Sequence, residues 1–171
     1  MRGEEIQIFG TITPGESATV VLPGTHSKWA TVREGRVAGF RTCMTGEFYG
    51  LLSQHSILAR TLQANSPLDE AMFRRGVMRA GEGNGLLHDA FGVRALALFD
   101  RLSPAQSASY LSGLLIGEEL RTQELTVSRE VIAIGAPALT ARYALALGEK
   151  GVRVRSFGAE ATWAGLRALQ G

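Results

Sequence analysis

The chain has 171 residues, 45% hydrophobic and 20% charged, with 18 basic against 16 acidic side chains, a formal net charge of +2 and a single cysteine, Cys43. At this length a fold can bury roughly 70% of the surface its unfolded chain exposes, so a core needs no disulfide or zinc, and neither a cysteine framework nor a Cys/His ligand spacing is present. The charge excess is small and dispersed, which excludes a nucleic-acid footprint despite a pI near 9.0; no apolar run approaches the roughly 20 residues that cross a bilayer; and an opening of Met1-Arg2-Gly3-Glu4-Glu5 argues against an export signal and for a reducing, cytoplasmic setting.

Taken in order, the residues after Gly3-Glu4-Glu5 form a short apolar stretch, Ile6 to Gly10, with the two acids at a helix or strand terminus. Ala18 to Leu22 is a β-branched run ended by Pro23-Gly24. Lys28 to Arg33 and Arg36 to Thr42 alternate about Glu34-Gly35, which predicts a hairpin whose turn glycine takes a positive φ. From Thr45 the period changes to three or four: Phe48, Leu51, Leu52 and His55 share a helical face. Ser66-Pro67-Leu68-Asp69 predicts a helix start with Pro67 in the first turn, running to about Ala80. Glycines between 81 and 85 break the chain, and Leu86 to Leu102 predicts a helix with Leu87, Phe91, Ala95 and Leu98 on one face. Ser103-Pro104-Ala105-Gln106 matches a capping box before a helix bearing Tyr110, Leu111, Leu114, Leu115 and Leu120. Val131 to Ile134 reads as a buried parallel strand ending at Gly135-Ala136-Pro137, followed by a helix from Leu139 to Leu147, a strand at Val152 to Val154 and a helix from Glu160 to Leu169. The pattern predicts an α/β fold with a mixed sheet, an N-terminal hairpin region, a helical middle and a strand-Gly-helix element. Glycine, at 21 residues, is well above its usual share of roughly 7%.

Two turns could hold an anion. Gly24-Thr25-His26-Ser27-Lys28 can offer consecutive backbone N–H groups, two hydroxyls and an ammonium, which is the chemistry of a phosphate cradle; turn geometry alone would account for the same residues. Gly135-Ala136 would let a flat ring or ribose approach the backbone, with a helix N-terminus behind it, although such joints also occur for packing. Glu4 or Glu5 could act as a general base toward an alcohol, or be a solvated terminus. His26 is the functional candidate among the histidines, although a surface turn position alone would account for it, with His55 and His88 structural.

The strings Gly3-Glu4-Glu5-Ile6-Gln7-Ile8-Phe9-Gly10, Leu22-Pro23-Gly24-Thr25-His26-Ser27-Lys28-Trp29, Met44-Thr45-Gly46-Glu47, Tyr110-Leu111-Ser112-Gly113-Leu114-Leu115-Ile116-Gly117-Glu118-Glu119-Leu120 and Ile134-Gly135 together resemble the 2-dehydro-3-deoxygalactonokinases of the actin-like ATPase and sugar-kinase superfamily. The resemblance covers essentially the whole chain. It implies ATP-dependent phosphorylation of the terminal hydroxyl of 2-dehydro-3-deoxygalactonate, with Mg2+ bridging the phosphates. Gly24, Thr25, His26, Ser27 and Lys28 would bind the β and γ phosphates, Gly135, Ala136 and Leu139 would adjoin the adenosine, and Glu4, with Glu5 as substitute, would be the base. No Asp-x-Gly-Thr turn of the kind such kinases carry in their first domain occurs here. Residues 1–171 are therefore expected to form a single domain resembling the second, carboxyl-terminal one. That implies a partner first domain or self-association through an exposed apolar face, and little activity alone. A ligand-binding or regulatory module without catalysis is the alternative.

Overall fold

The structure, a computed structural model, describes residues 3–63, 65–123, 125 and 130–168. It divides into two compact units, residues 1–44 with 125–171, and residues 45–124.

The first unit is built on one five-stranded sheet of β1 (Ala18–Leu22), β2 (Ser27–Arg33), β3 (Arg36–Cys43), β4 (Glu130–Ile134) and β5 (Arg153–Phe157). Its order is β3-β2-β1-β4-β5. β1 pairs antiparallel with β2, and β2 with β3, while β1, β4 and β5 run parallel, with Val20 opposite Ile132 and Ala133 opposite Ser156. The predicted hairpin is present, with Gly35 at φ +74° and a bulge where Val32 meets Val37. The last strand sits one to three residues later than Val152 to Val154, because Val152 still belongs to the turn that closes the preceding helix through Leu147 O.

The period-2 alternation decides what each sheet face buries. Val20, Leu22, Ala30, Val32, Ile132 and Ile134 form one core with Ile8 of α1 (Glu4–Phe9) and Ala161 of α7 (Glu160–Ala168). The intervening residues face the other way, where Trp29 meets Tyr143 of α6 (Pro137–Gly148) at a ring separation of 6.5 Å. The helices α1 and α7 cross so closely that a Cβ at Gly165 would lie 1.9 Å from Ile6 O. Leu169, expected as the end of the last helix, lies outside the described residues.

The second unit is helical: α2 (Thr45–His55), a 3-10 turn (Ile57–Thr61), α3 (Glu70–Gly81), α4 (Leu86–Leu98) and α5 (Pro104–Arg121). The capping box of α5 is complete, with Ser103 Oγ accepting from Gln106 N and Gln106 Oε1 accepting from Ser103 N. The predicted start of α3 needs correcting. Asp69 is the cap, accepting from Met72 N, and Ser66 instead donates its hydroxyl to Gln63 O, so Pro67 precedes the helix by three residues. An acid beats a hydroxyl here because its charge also complements the helix dipole.

The larger correction concerns α4. The helix ends at Leu98, four residues before the expected Leu102. Its buried side is Asp89, Ala90 and Val93, so the face carrying Leu87, Phe91 and Leu98 points outward. Asp89 is tolerated inside because Arg79 Nε of α3 donates to Oδ1 at 2.7 Å, while Arg79 also pairs with Glu82 at 2.6 Å. Asp89→Asn keeps the shape but deprives Arg79 of the buried anion. It is expected to lower stability by about 2 kcal/mol in urea denaturation, and an unchanged midpoint would refute the anchoring role. No helix among the described residues is long and apolar enough to cross a membrane.

Candidate functional site

Parallel pairing of β1, β4 and β5 puts their carboxyl ends at one edge, where open α/β sheets bind ligands. Both turns singled out in the sequence lie there. β1 leads into Pro23-Gly24, and β4 into Gly135, whose N–H donates to Phe157 O of β5 at 3.0 Å. The two turns touch: a Cβ built on Gly135 would be 3.4 Å from Pro23 O and 3.8 Å from Thr140 Cγ2.

The parts of the first turn have different environments. Thr25 and His26 are exposed, Ser27 is fully buried at the start of β2, and Lys28 is half-buried. Lys28 Nζ donates to His26 O at 3.3 Å, which folds the lysine back over its own turn. On the same sheet face, α1 brings Glu4 Oε1 to 3.0 Å from Lys28 Nζ, with 26% of the Glu4 side chain and 18% of the Lys28 side chain exposed. Glu5 points elsewhere, accepting from Gly3 N at 2.9 Å and closing the first turn of α1. Of the two acids, the structure therefore joins Glu4 to the turn and gives Glu5 a local capping bond.

Gly24 has an informative geometry. Its backbone is outside the left-handed region and a Cβ there would meet nothing within 4 Å, so neither turn strain nor packing requires glycine. What a side chain would occupy is the open space above the turn. Around the second turn, Ala136 caps α6 without a side-chain bond, its carbonyl accepts from Leu139 N and Thr140 N, and Pro137 occupies the first helical position. Ala136 is exposed and Leu139 half-buried. Among the described residues no three His, Cys, Asp or Glu side chains are grouped so as to hold a metal ion.

Sequence reading missed the contact between Pro23 and Gly135. The available signal was the apolar, uninterrupted character of both 18–22 and 131–134, which marks neighbouring buried strands. It also missed that Trp29, inside the LPGTHSKW string, is a core residue against Tyr143.

A mixed α/β sheet with two adjoining turns at the carboxyl ends of its parallel strands defines an α/β architecture of the kind that carries ligands at that edge. A family model described as 2-keto-3-deoxy-galactonokinase matches residues 1–169. The chain is 34% identical over 172 residues to the 2-dehydro-3-deoxygalactonokinase of Escherichia coli (strain K12), covering 99% of this chain and 59% of that protein. It is 37% identical over 177 residues to the Rhizobium meliloti (strain 1021) protein named probable 2-dehydro-3-deoxygalactonokinase DgoK1, covering 98% and 58%. A Sinorhizobium meliloti crystal structure assigned that activity superposes with a TM-score of 0.88 at 36% identity, over 98% of this chain and 58% of the other. The chain belongs to the 2-keto-3-deoxy-galactonokinase family. It spans about three fifths of the length of the relatives it matches.

Proposed function

We propose that this chain is the second domain of an ATP-dependent 2-dehydro-3-deoxygalactonate kinase, binding the nucleotide along the edge where β1 and β4 end. The observation that carries the reading is the 3.0 Å ion pair between Glu4 and Lys28, which unites the candidate base with the candidate phosphate turn. Gly24, Thr25, His26, Ser27 and Lys28 take the β and γ phosphates, and Gly135, Ala136 and Leu139 take the adenosine side. The terminal hydroxyl of the sugar acid attacks the γ phosphorus, its proton passes to the Glu4 carboxylate, and the bond to the bridging oxygen breaks to leave ADP. Mg2+ would be held by the ATP phosphates and would neutralise their charge there; among the described residues no group of three His, Cys, Asp or Glu side chains stands to hold it.

Lys28 cannot fully neutralise a phosphate and hold Glu4 at once. Phosphate drawing the ammonium off Glu4 releases the carboxylate from its counter-ion and makes it a stronger proton acceptor. Binding and base activation are thereby linked through one lysine. A first domain supplies the rest of the phosphate clamp and part of the sugar-acid pocket, so the 171-residue chain alone is inactive or nearly so; the setting is cytoplasmic.

The test is coupled turnover of ATP with 2-dehydro-3-deoxygalactonate by this chain joined to the first domain of a relative. Turnover supports the reading, and none, with the fold intact and nucleotide bound, favours a non-catalytic binding module, as the three-fifths coverage of the relatives would allow. Gly24→Val examines the turn itself. Because its Cβ meets open space, stability is expected to stay within about 0.5 kcal/mol while nucleotide affinity, read by calorimetry, falls at least about tenfold. Lost stability with unchanged affinity would make the turn purely structural.

A further inference from the structure

We propose that the outward face of α4 is the contact surface of a homodimer in which the α4 helices of two copies pack antiparallel. Along α4, Leu86, Ala90 and Val93 serve the core of the helical unit. A second apolar stripe runs up the opposite side at helical spacing, Leu87, Phe91, Ala95 and Leu98, and continues into Phe99. Leu87 is 86% exposed, Phe91 60%, Leu98 62% and Phe99 78%. A surface helix normally carries one apolar stripe, so the second marks a second partner.

Both the size and the pattern of the stripe favour another copy of this chain. Four side chains of this size at that exposure present roughly 500 Å² of apolar surface, at the upper end of what a monomer leaves uncovered. A dimer interface of ordinary size needs about 800 Å² from each copy, of which roughly 60% is apolar, so the requirement is again roughly 500 Å². The stripe is also self-complementary. With a two-fold axis at the level of Val93, Leu87 lies against Leu98 and Phe99 of the second copy, and each Phe91 ring lies over the other copy's Ala95, where a methyl leaves room for it. Arg94 borders the middle of the stripe and is tied back to Ile57 O at 3.4 Å, so its charge is drawn toward its own unit rather than into the seam. A two-fold pairing uses the same patch on both partners, which satisfies this arrangement.

The experiment is sedimentation of the full chain over a concentration series, with the paired variant Leu87→Glu with Leu98→Glu as comparison. Both positions are exposed, so circular dichroism should be unchanged and the melting temperature should lose its dependence on protein concentration, while the dimer dissociation constant should rise about 100-fold or more. Orientation is read in a Cys43→Ser background by mixing a Leu87→Cys chain with a Leu98→Cys chain. Antiparallel packing predicts an interchain disulfide between the two and little within either alone. A strict monomer at the highest attainable concentration overturns the proposal, as the stripe is then left for a different domain. A dimer indifferent to the two glutamates overturns it equally, since the interface then lies elsewhere. Neither outcome touches the kinase reading, which rests on the other unit.

Discussion

Gly113→Ala is expected to lower the stability of the helical unit by about 3 kcal/mol, an effect at the upper end for a single added methyl in a packed interior. A Cβ at Gly113 of α5 would lie 1.9 Å from Phe73 O and 2.8 Å from Phe73 C of α3. The obstacle is backbone, which cannot rotate aside as a side chain can. Gly76 of α3 faces Tyr110 O at 2.2 Å, and Gly117 faces the Val77 backbone at 2.9 Å, so the whole crossing is set by three glycines. A methyl forces the helices apart along the contact that buries Phe73, Leu111 and Leu114, losing dispersion contacts over several residues at once. Alanine's better helix propensity, about 1 kcal/mol over glycine, offsets only part of this. Gly50→Ala on α2 is the matched control. Its Cβ would meet nothing within 4 Å, so it should be neutral or stabilising. Urea denaturation of the two variants decides the matter: equal midpoints would sink the close-approach account.

This crossing also explains how the sequence could be read correctly in part. The string Tyr110 to Leu120 carries the family resemblance, yet Gly113 and Gly117 serve packing, and Glu119 accepts the Thr45 hydroxyl at the start of α2. Two separately noted strings are thus joined by one partly buried hydrogen bond. Strand runs, the Glu34-Gly35 hairpin and the Ser103 cap were legible because their determinants are local: alternation, a left-handed glycine, a hydroxyl three residues from an amide. The orientation of α4 was not, because periodicity reveals an apolar face without saying what covers it. Here both faces are apolar, and the pairing of buried Asp89 with the half-buried Arg79, two charged letters in the sequence, selects which one turns inward. The candidate site was legible in its parts and not in its assembly. The spacing of Gly24 and Gly135 along the chain carries no trace of their contact, which comes from the β1 and β4 pairing. The resemblance already set Glu4 before Glu5, and α1 gives that order a geometry, with one acid at Lys28 and the other at Gly3 N.

In the enzyme completed with a first domain, Glu4→Gln is expected to lower kcat by about a hundredfold to ten-thousandfold, the usual span for losing a general base. Glutamine keeps the size and the acceptor oxygen, so Lys28 still finds a partner at the 3.0 Å position, and the KM for ATP should move little. Lys28→Met removes the charge proposed to neutralise the phosphates and should lower kcat/KM for ATP by about a hundredfold, near 3 kcal/mol, through both parameters. The distinction rests on where each interaction is made: an effect on kcat alone marks a contact realised only in the transition state, and one on KM marks a contact already present with bound nucleotide. If Glu4 served solely to tether Lys28, glutamine would preserve the tether and leave both kcat and KM near their original values. The pH profile separates the cases further. A carboxylate base imposes a loss of kcat on the acid side that Glu4→Gln should abolish, whereas a tether leaves that limb in place.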